Sequence, residues 1–214
     1  MARHQIFHHS FDLLPEKAMY WPELKTLIIS DLHLGKAAHF NQRGIGLPAQ
    51  SIKANNFKRL ESLMDIHRPE KLIFLGDLFH SAINPVWGEF QSFLERWPNC
   101  DFILVEGNHD ILEHRHYLDS GLRVVPNYQY ESLVFTHEPM EDVPKDLYNL
   151  AGHIHPGARM GAKGQPSLRL PCFYFSSDQA ILPAFGSFTG LHPVRPDRND
   201  SVFVIFEGVV KEVS

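Results

Sequence analysis

Five short polar segments carry the residue types that bind divalent cations: Asp31-Leu32-His33, Gly76-Asp77, Gly107-Asn108-His109-Asp110, His137 and Gly152-His153-Ile154-His155. Together they hold enough oxygen and imidazole donors for two adjacent ions. A carboxylate has two oxygens and a negative charge, so one aspartate can join two cations and offset part of their repulsion; Asp77, in the middle of the set, is the expected bridge. Neutral imidazoles and oxygen donors suit manganese, iron or zinc. The cysteines are only Cys100 and Cys172, which argues against a thiolate-bound structural zinc. A water held between two cations ~3.5–4 Å apart loses a proton near neutral pH and can attack phosphorus in line, while the metals spread the developing charge. Phosphoester hydrolysis is therefore the reaction these residues point to.

Positioning such a set requires strands that end together. Leu27-Ile28-Ile29, Leu72-Ile73-Phe74-Leu75, Phe102-Ile103-Leu104-Val105 and Leu133-Val134-Phe135 are short runs rich in aliphatic and aromatic residues, bounded by polar residues or glycine, and read as buried strands. Tyr148-Asn149-Leu150-Ala151 is a weaker fifth. Helical spacing fills roughly 49 to 67 and 85 to 97, the second opened by Asn84-Pro85 as cap and first helical residue. Strand alternating with helix implies parallel pairing with right-handed crossovers, and in such open sheets ligands bind beyond the carboxyl ends of the strands. Asp31, Asp77 and Asn108 fall there. Gly76, Gly107 and Gly152 read as turn residues that swing the next side chain toward the metals. Residues 1 to 22 read as an N-terminal hairpin with a turn at Pro15-Glu16. Val202 to Phe206 and Val209 to Val213 read as a terminal hairpin, and the stretch from Arg159 through Leu182 as strands between turns at Gly161-Ala162-Lys163-Gly164 and Asp178-Gln179.

The ordered set Asp-x-His, Gly-Asp, Gly-Asn-His-Asp, a single His and Gly-His-x-His resembles the calcineurin-like metallophosphoesterase superfamily. That resemblance implies an α/β fold, a four-layer α/β/β/α sandwich of mixed sheets with helices outside. It implies a first metal on Asp31, His33, Asp77 and His155, and a second on Asp77, Asn108, His137 and His153. His109 matches the non-ligand histidine that protonates the leaving oxygen or steadies the transition state, and Asp110 the carboxylate that orients it. An imidazole beside a carboxylate is held in one tautomer and made a better proton carrier, which agrees with that pairing. Manganese is the expected ion, with iron or zinc as alternatives.

Ala18-Met19-Tyr20-Trp21-Pro22, Asp31 through Lys36, Leu170-Pro171-Cys172-Phe173 and Leu182 through Gly190 are similar to bacterial ligase-associated DNA-damage-response phosphoesterases, relatives of double-strand-break repair nucleases. The resemblance implies an endonuclease or phosphodiesterase acting on DNA, associated with a DNA ligase and a helicase. A phosphatase or pyrophosphatase on small phosphorylated molecules is the second reading, and a non-catalytic scaffold the third. His109 disfavours both the lipid-sugar pyrophosphatases, which carry Arg at this position, and the scaffolds, which lose the histidine.

The chain has 214 residues, with 16 Phe and 3 Trp to fill a core, and reads as one domain, 1–214, without a separate cap. No signal-peptide pattern opens it, no run approaches a membrane span, and the two cysteines fit a reducing compartment, so a cytoplasmic protein is expected. The formal charge is −5, which argues against duplex-wide contact through Lys and Arg, although two divalent ions would leave the site itself cationic. Lys36 and Arg43 are the candidates for holding a substrate phosphate, with Arg159, Lys163 and Arg169 as a possible rim. His39 and His80 lie near the motif loops as candidate pocket residues, whereas His8-His9, His67, His114, His116 and His192 read as surface or packing residues.

Overall fold

The computed structural model describes residues 1–36, 49–79, 85–161, 167–187 and 189–213. The first sheet runs in sequence order: β1 (Ala2–Ile6), β2 (His9–Leu14), β3 (Ala18–Trp21), β4 (Thr26–Ser30), β5 (Lys71–Leu75), β6 (Asp101–Val105) and β7 (Leu122–Val125). β1 to β4 form an antiparallel meander and β4 to β7 are parallel. The N-terminal stretch thus makes three strands where a single hairpin was expected. Ser30 pairs with Leu75 and Leu75 with Val105, so β4, β5 and β6 end abreast. The segments that follow them, at Asp31, Gly76 and Glu106, leave from one edge.

Alternation along these strands feeds two apolar layers. Leu27, Ile29, Leu72, Phe74, Phe102 and Leu104 pack under helices α1 (Ala49–His67), α2 (Pro85–Glu95) and α3 (His114–Asp119). Ile28, Ile73, Leu75, Ile103 and Val105 face the second sheet. Burial on both faces is why these strands read as nearly continuous apolar runs. Along α1 the buried positions Ile52, Leu60, Leu63 and Met64 repeat at helical spacing. α2 presents Val86, Trp87, Phe90, Phe93 and Leu94 in the same way, and each fully buried Phe contributes roughly 1.5–3 kcal/mol. Its expected cap, Asn84, lies outside the described residues.

The second sheet contains β8 (Tyr128–Tyr130), β9 (Leu133–Phe135), β10 (Tyr148–Ala151), β11 (Pro156–Met160), β12 (Leu168–Phe175), β13 (Gln179–Ile181), β14 (His192–Pro193), β15 (Ser201–Phe206) and β16 (Val209–Glu212). Its order is β14-β11-β12-β13-β10-β9-β8, with β15 pairing β12 and β16. β9, β10 and β13 are parallel, with Phe135 beside Leu150 and Ala151 beside Ile181, so their carboxyl ends also share an edge. A parallel bridge between Ser30 and Ala184 joins that edge to the end of β4. The result is the expected α/β sandwich of mixed sheets; among the described residues the helices pack on the outer face of the first sheet. None of these helices is long and apolar enough to cross a membrane.

A half-buried cation sits off the core. Lys17 occupies the turn between β2 and β3 with φ 66°, and burial, aided by the charge of Arg59, lowers its pKa to about 8 from 10.5. Its folded pKa lies below the unfolded one, so the unfolded chain binds more protons between those values and stability rises as pH climbs through that window. Below about pH 8 the full penalty is present. Lys17→Met should therefore stabilise the protein by about 1–2 kcal/mol at pH 7 and by much less above pH ~10, as read by urea unfolding at the two pH values.

Candidate metal centre

The expected donors converge. Asp31, His33 and His155 form one cluster, and Asp77, His137 and His153 a second, with the donor atoms of each within 4.8 Å of one another. The Asp77 carboxylate lies between them: Oδ2 stands 3.8 Å from His33 Nε2, and Oδ1 stands 3.4 Å from His137 Nε2. Asn108 Oδ1 joins the second cluster at 3.0 Å from His137 Nε2, and His153 Nδ1 is also 3.0 Å from that nitrogen. Each cluster draws on both sheets. Asp31, His33, Asp77 and Asn108 follow strands of the first, whereas His137 follows β9 and His153 and His155 follow β10.

Backbone geometry is unusual where the donors sit. Asp31, His33, Asp77, His153 and His155 all adopt left-handed conformations, with φ between 50° and 63°. Such a residue, if not glycine, costs on the order of 1 kcal/mol or more, and it persists where surrounding structure over-determines it. Here the surroundings are explicit. The loop after β4 is tied to the loop after β5 by Asp31 N–H donating to Gly76 O, His33 N–H to Asp77 O and Leu34 N–H to Leu78 O. Phe185 N–H donates to Ser30 O, and Gly186 N–H to Asp31 O, bracing the first loop from the far side.

Two glycines set the close approach. A Cβ on Gly76 would stand 2.2 Å from His137 Nδ1, and one on Gly152 would stand 2.6 Å from both Asp31 Oδ2 and Ser30 Cβ. Any side chain there would push a donor out of place.

Hydrogen bonding fixes how the donors face. His137 Nδ1 is 3.0 Å from Leu75 O, which can only accept, so Nδ1 carries the proton and Nε2 presents its lone pair. That nitrogen has two neighbours at 3.0 Å, Asn108 Oδ1 and His153 Nδ1. Asp31 is fully buried; its Oδ2 accepts from His153 N–H at 2.9 Å. Asp31 Oδ1 and His155 Nε2 are 3.3 Å apart, both buried and both without a hydrogen bond. Buried polar atoms are ordinarily satisfied. A divalent cation in the first cluster would satisfy both atoms, and the oxygen and imidazole donors gathered in the second suit another, so the donor set fits two metal ions.

Asp110 is placed differently from the expectation that it orients the His109 ring. Its Oδ1 accepts from the backbone N–H of Leu78 at 2.9 Å and of Phe79 at 3.1 Å, and its Oδ2 from Gly107 at 2.9 Å. Burial raises its pKa to about 6, against the pull of those three amides. The carboxylate thus fastens the loop after β5 to the loop after β6. His109 donates its backbone N–H to Asp77 Oδ1 at 2.9 Å, and its ring lies 5.9 Å from that of His33. Lys36 is half-buried beside the first cluster; burial lowers its pKa, while Asp77 and Asp31 oppose the shift. Arg43, His39, His80 and Lys163 lie outside the described residues. Arg159, on β11, donates to Ser167 Oγ, and Arg169, on β12, to Leu191 O.

Two supports carried no local signal. Asn149, fully buried in β10, donates to Val134 O and Thr136 Oγ1 and accepts from Met140 N–H, shaping the loop that carries His137. Leu182 through Ser187, noted only as part of a similarity, proves to be the brace on Asp31. Nothing short of the strand pairing reveals either role.

A family model for calcineurin-like phosphoesterases matches residues 24–174, which span all five polar segments. The structure of Pseudomonas putida nuclease MPE matches with a TM-score of 0.81 at 30% identity, covering 99% of this chain and 99% of that one. The phosphoesterase YfcE from E. coli matches with a TM-score of 0.45 at 15% identity, covering 88% of this chain and 97% of that one. No curated protein matches the sequence.

Gly152→Ala tests the close approach. The added methyl should displace the Asp31 carboxylate and lower affinity for manganese by about 10–100-fold, the range seen when the support of a ligand is lost. Titration followed by electron paramagnetic resonance reads this; an unchanged affinity would show that Asp31 does not need the gap.

Proposed function

This chain belongs to the calcineurin-like phosphoesterase family, and we propose that within it the chain is a nuclease that cleaves phosphodiester bonds of DNA. Family membership makes it a metal-dependent phosphoester hydrolase. The finer reading is carried by one observation: the likeness to a nuclease extends over 99% of both chains at 30% identity. A role in DNA repair, alongside a DNA ligase and a helicase in the cytoplasm, belongs to the same reading and rests on the resemblance of the local motifs.

In this reading Asp31, His33 and His155 would hold one ion and Asn108, His137 and His153 the other, with Asp77 available to either. Two divalent ions there, manganese by preference, would supply Lewis acidity for the phosphoryl group and a water of lowered pKa. The chain's own groups do the rest. His137, proton-locked at Nδ1 by Leu75 O, is fixed as a donor through Nε2. Asp110 holds the backbone from which His109 projects. His109, next to Asn108, protonates the leaving ester oxygen as its bond to phosphorus breaks and the bond from the attacking water oxygen forms. Lys36 supplies positive charge for a substrate phosphate, and Arg43 is a second candidate for that role.

The manganese-loaded chain should hydrolyse bis-p-nitrophenyl phosphate and nick circular DNA. Turnover of p-nitrophenyl phosphate alone would replace the nuclease reading with a phosphatase one. In His109→Ala, kcat on the diester should fall by ~10²–10⁴ with manganese stoichiometry unchanged, the range of lost acid–base assistance. Equal kcat in the variant would remove His109 from the mechanism.

A further inference from the structure

The described residues gather one more set of metal-donor side chains, separate from the two clusters above. His8 Nε2 stands 3.2 Å from Glu131 Oε2, and His9 Nε2 stands 3.4 Å from the same oxygen. The three donor atoms lie within 4.8 Å of one another. His8 and His9 belong to the turn and first residue of the β1–β2 hairpin, and Glu131 to the turn between β8 and β9, so the set joins the two sheets.

Topology puts it at the opposite end of the sandwich from the dimetal centre. β2 is antiparallel to β3 and β3 to β4, so β2 runs in the direction of β4. His9 opens β2, whereas Asp31 follows the end of β4. In the second sheet Glu131 precedes β9, whereas His137 follows it.

Neighbouring residues of a regular strand point to opposite faces, yet here the two imidazoles lie side by side, ring centroids 3.8 Å apart. The turn produces this: Phe7 has φ 53°, which brings His8 round beside His9, and Glu131 is itself held at φ 49°. An exposed ion pair between His8 and Glu131 would account for the first contact but is worth little. It does not account for His9. That side chain is 8% exposed, its Nε2 has no hydrogen bond, and the atom is aimed at an oxygen already approached by His8. Trp21 and Tyr130 wall the ring, at centroid distances of 4.7 and 6.3 Å.

The spacing is compatible with a shared ion. Two ligands bound to zinc at 2.0–2.1 Å and separated by the tetrahedral angle stand about 3.3–3.4 Å apart. The His8–Glu131 and His9–Glu131 separations, 3.2 and 3.4 Å, are close to that edge length. We propose that His8, His9 and Glu131 bind a zinc ion that clamps the β1–β2 hairpin to the β8–β9 hairpin. The fourth position opens to solvent, because the His8 and Glu131 side chains are 70% and 51% exposed.

Equilibrium dialysis against Zn²⁺ with elemental counting tests this directly. The wild-type chain should hold one more zinc than either His8→Gln or Glu131→Gln, whose exposed side chains can change without disturbing the core. Zn²⁺ should also raise the melting temperature of the wild type by several degrees more than that of Glu131→Gln, since a ligand that bridges two hairpins stabilises only the folded state. Diesterase activity in both variants should match the wild type. Equal zinc counts in all three proteins would overturn the clamp, whereas a fall of all three counts by the same amount relative to expectation would bear on the dimetal centre alone.

Discussion

Everything at the centre depends on two aspartates being held by backbone amides from elsewhere in the chain. Asp31 accepts from His153 N–H, an amide of the second sheet's loop, and Asp77 accepts from His109 N–H, an amide of the neighbouring loop in the first. One oxygen of each carboxylate is thereby occupied, and the other oxygen has its direction set. The motif glycines, the left-handed ligands and the brace from Phe185 and Gly186 all serve to keep those two contacts short. A hydrogen bond from an amide to an ionised carboxylate is stronger than a neutral one, and in a buried setting it is lost only at substantial cost.

The protein by itself leaves the cluster electrostatically incomplete. Two buried carboxylates, an amide oxygen and several imidazoles are gathered within a few ångströms of one another. In an apolar protein such a grouping would lower its energy by protonation or by spreading apart. The fold prevents spreading, because the loops are fastened to one another by Asp110 and by the ladder of amide contacts between Asp31 and Leu78. Cation affinity thus comes from the rest of the fold: packing holds the donors close, and binding relieves the repulsion.

The apolar-run strands were legible in the sequence to within a residue. Leu133–Phe135 and Tyr148–Ala151 fall where expected, and β4, β5 and β6 each begin one residue early, as does β15; α1 coincides with its predicted range, whereas α2 stops two residues short. These elements are buried on both faces or carry one helical stripe, and such patterns are local. Long-range features were not legible. β7 and α3 have short, mixed patterns, and the order of the second sheet depends on pairings between distant segments. The residue types that gather in the clusters could be read because metal chemistry restricts residue choice. The role of Asp110 could not, since a carboxylate next to a histidine in sequence looks the same whether it meets that ring or turns inward to three amides. His8 and His9 read as surface or packing residues for a similar reason: the carboxylate beside them is 123 residues away from His8.

Each donor cluster takes residues from both sheets, and the apolar layer of Trp21, Ile28, Ile73, Leu133, Phe135 and Phe173 lies between those sheets. The spacing of the ions is consequently governed by side chains that never approach them. Repacking that layer with a bulkier or smaller residue would act like a shim under one half of a vice, widening or narrowing both jaws at once, so reactivity here can be tuned from the interior without touching a single ligand.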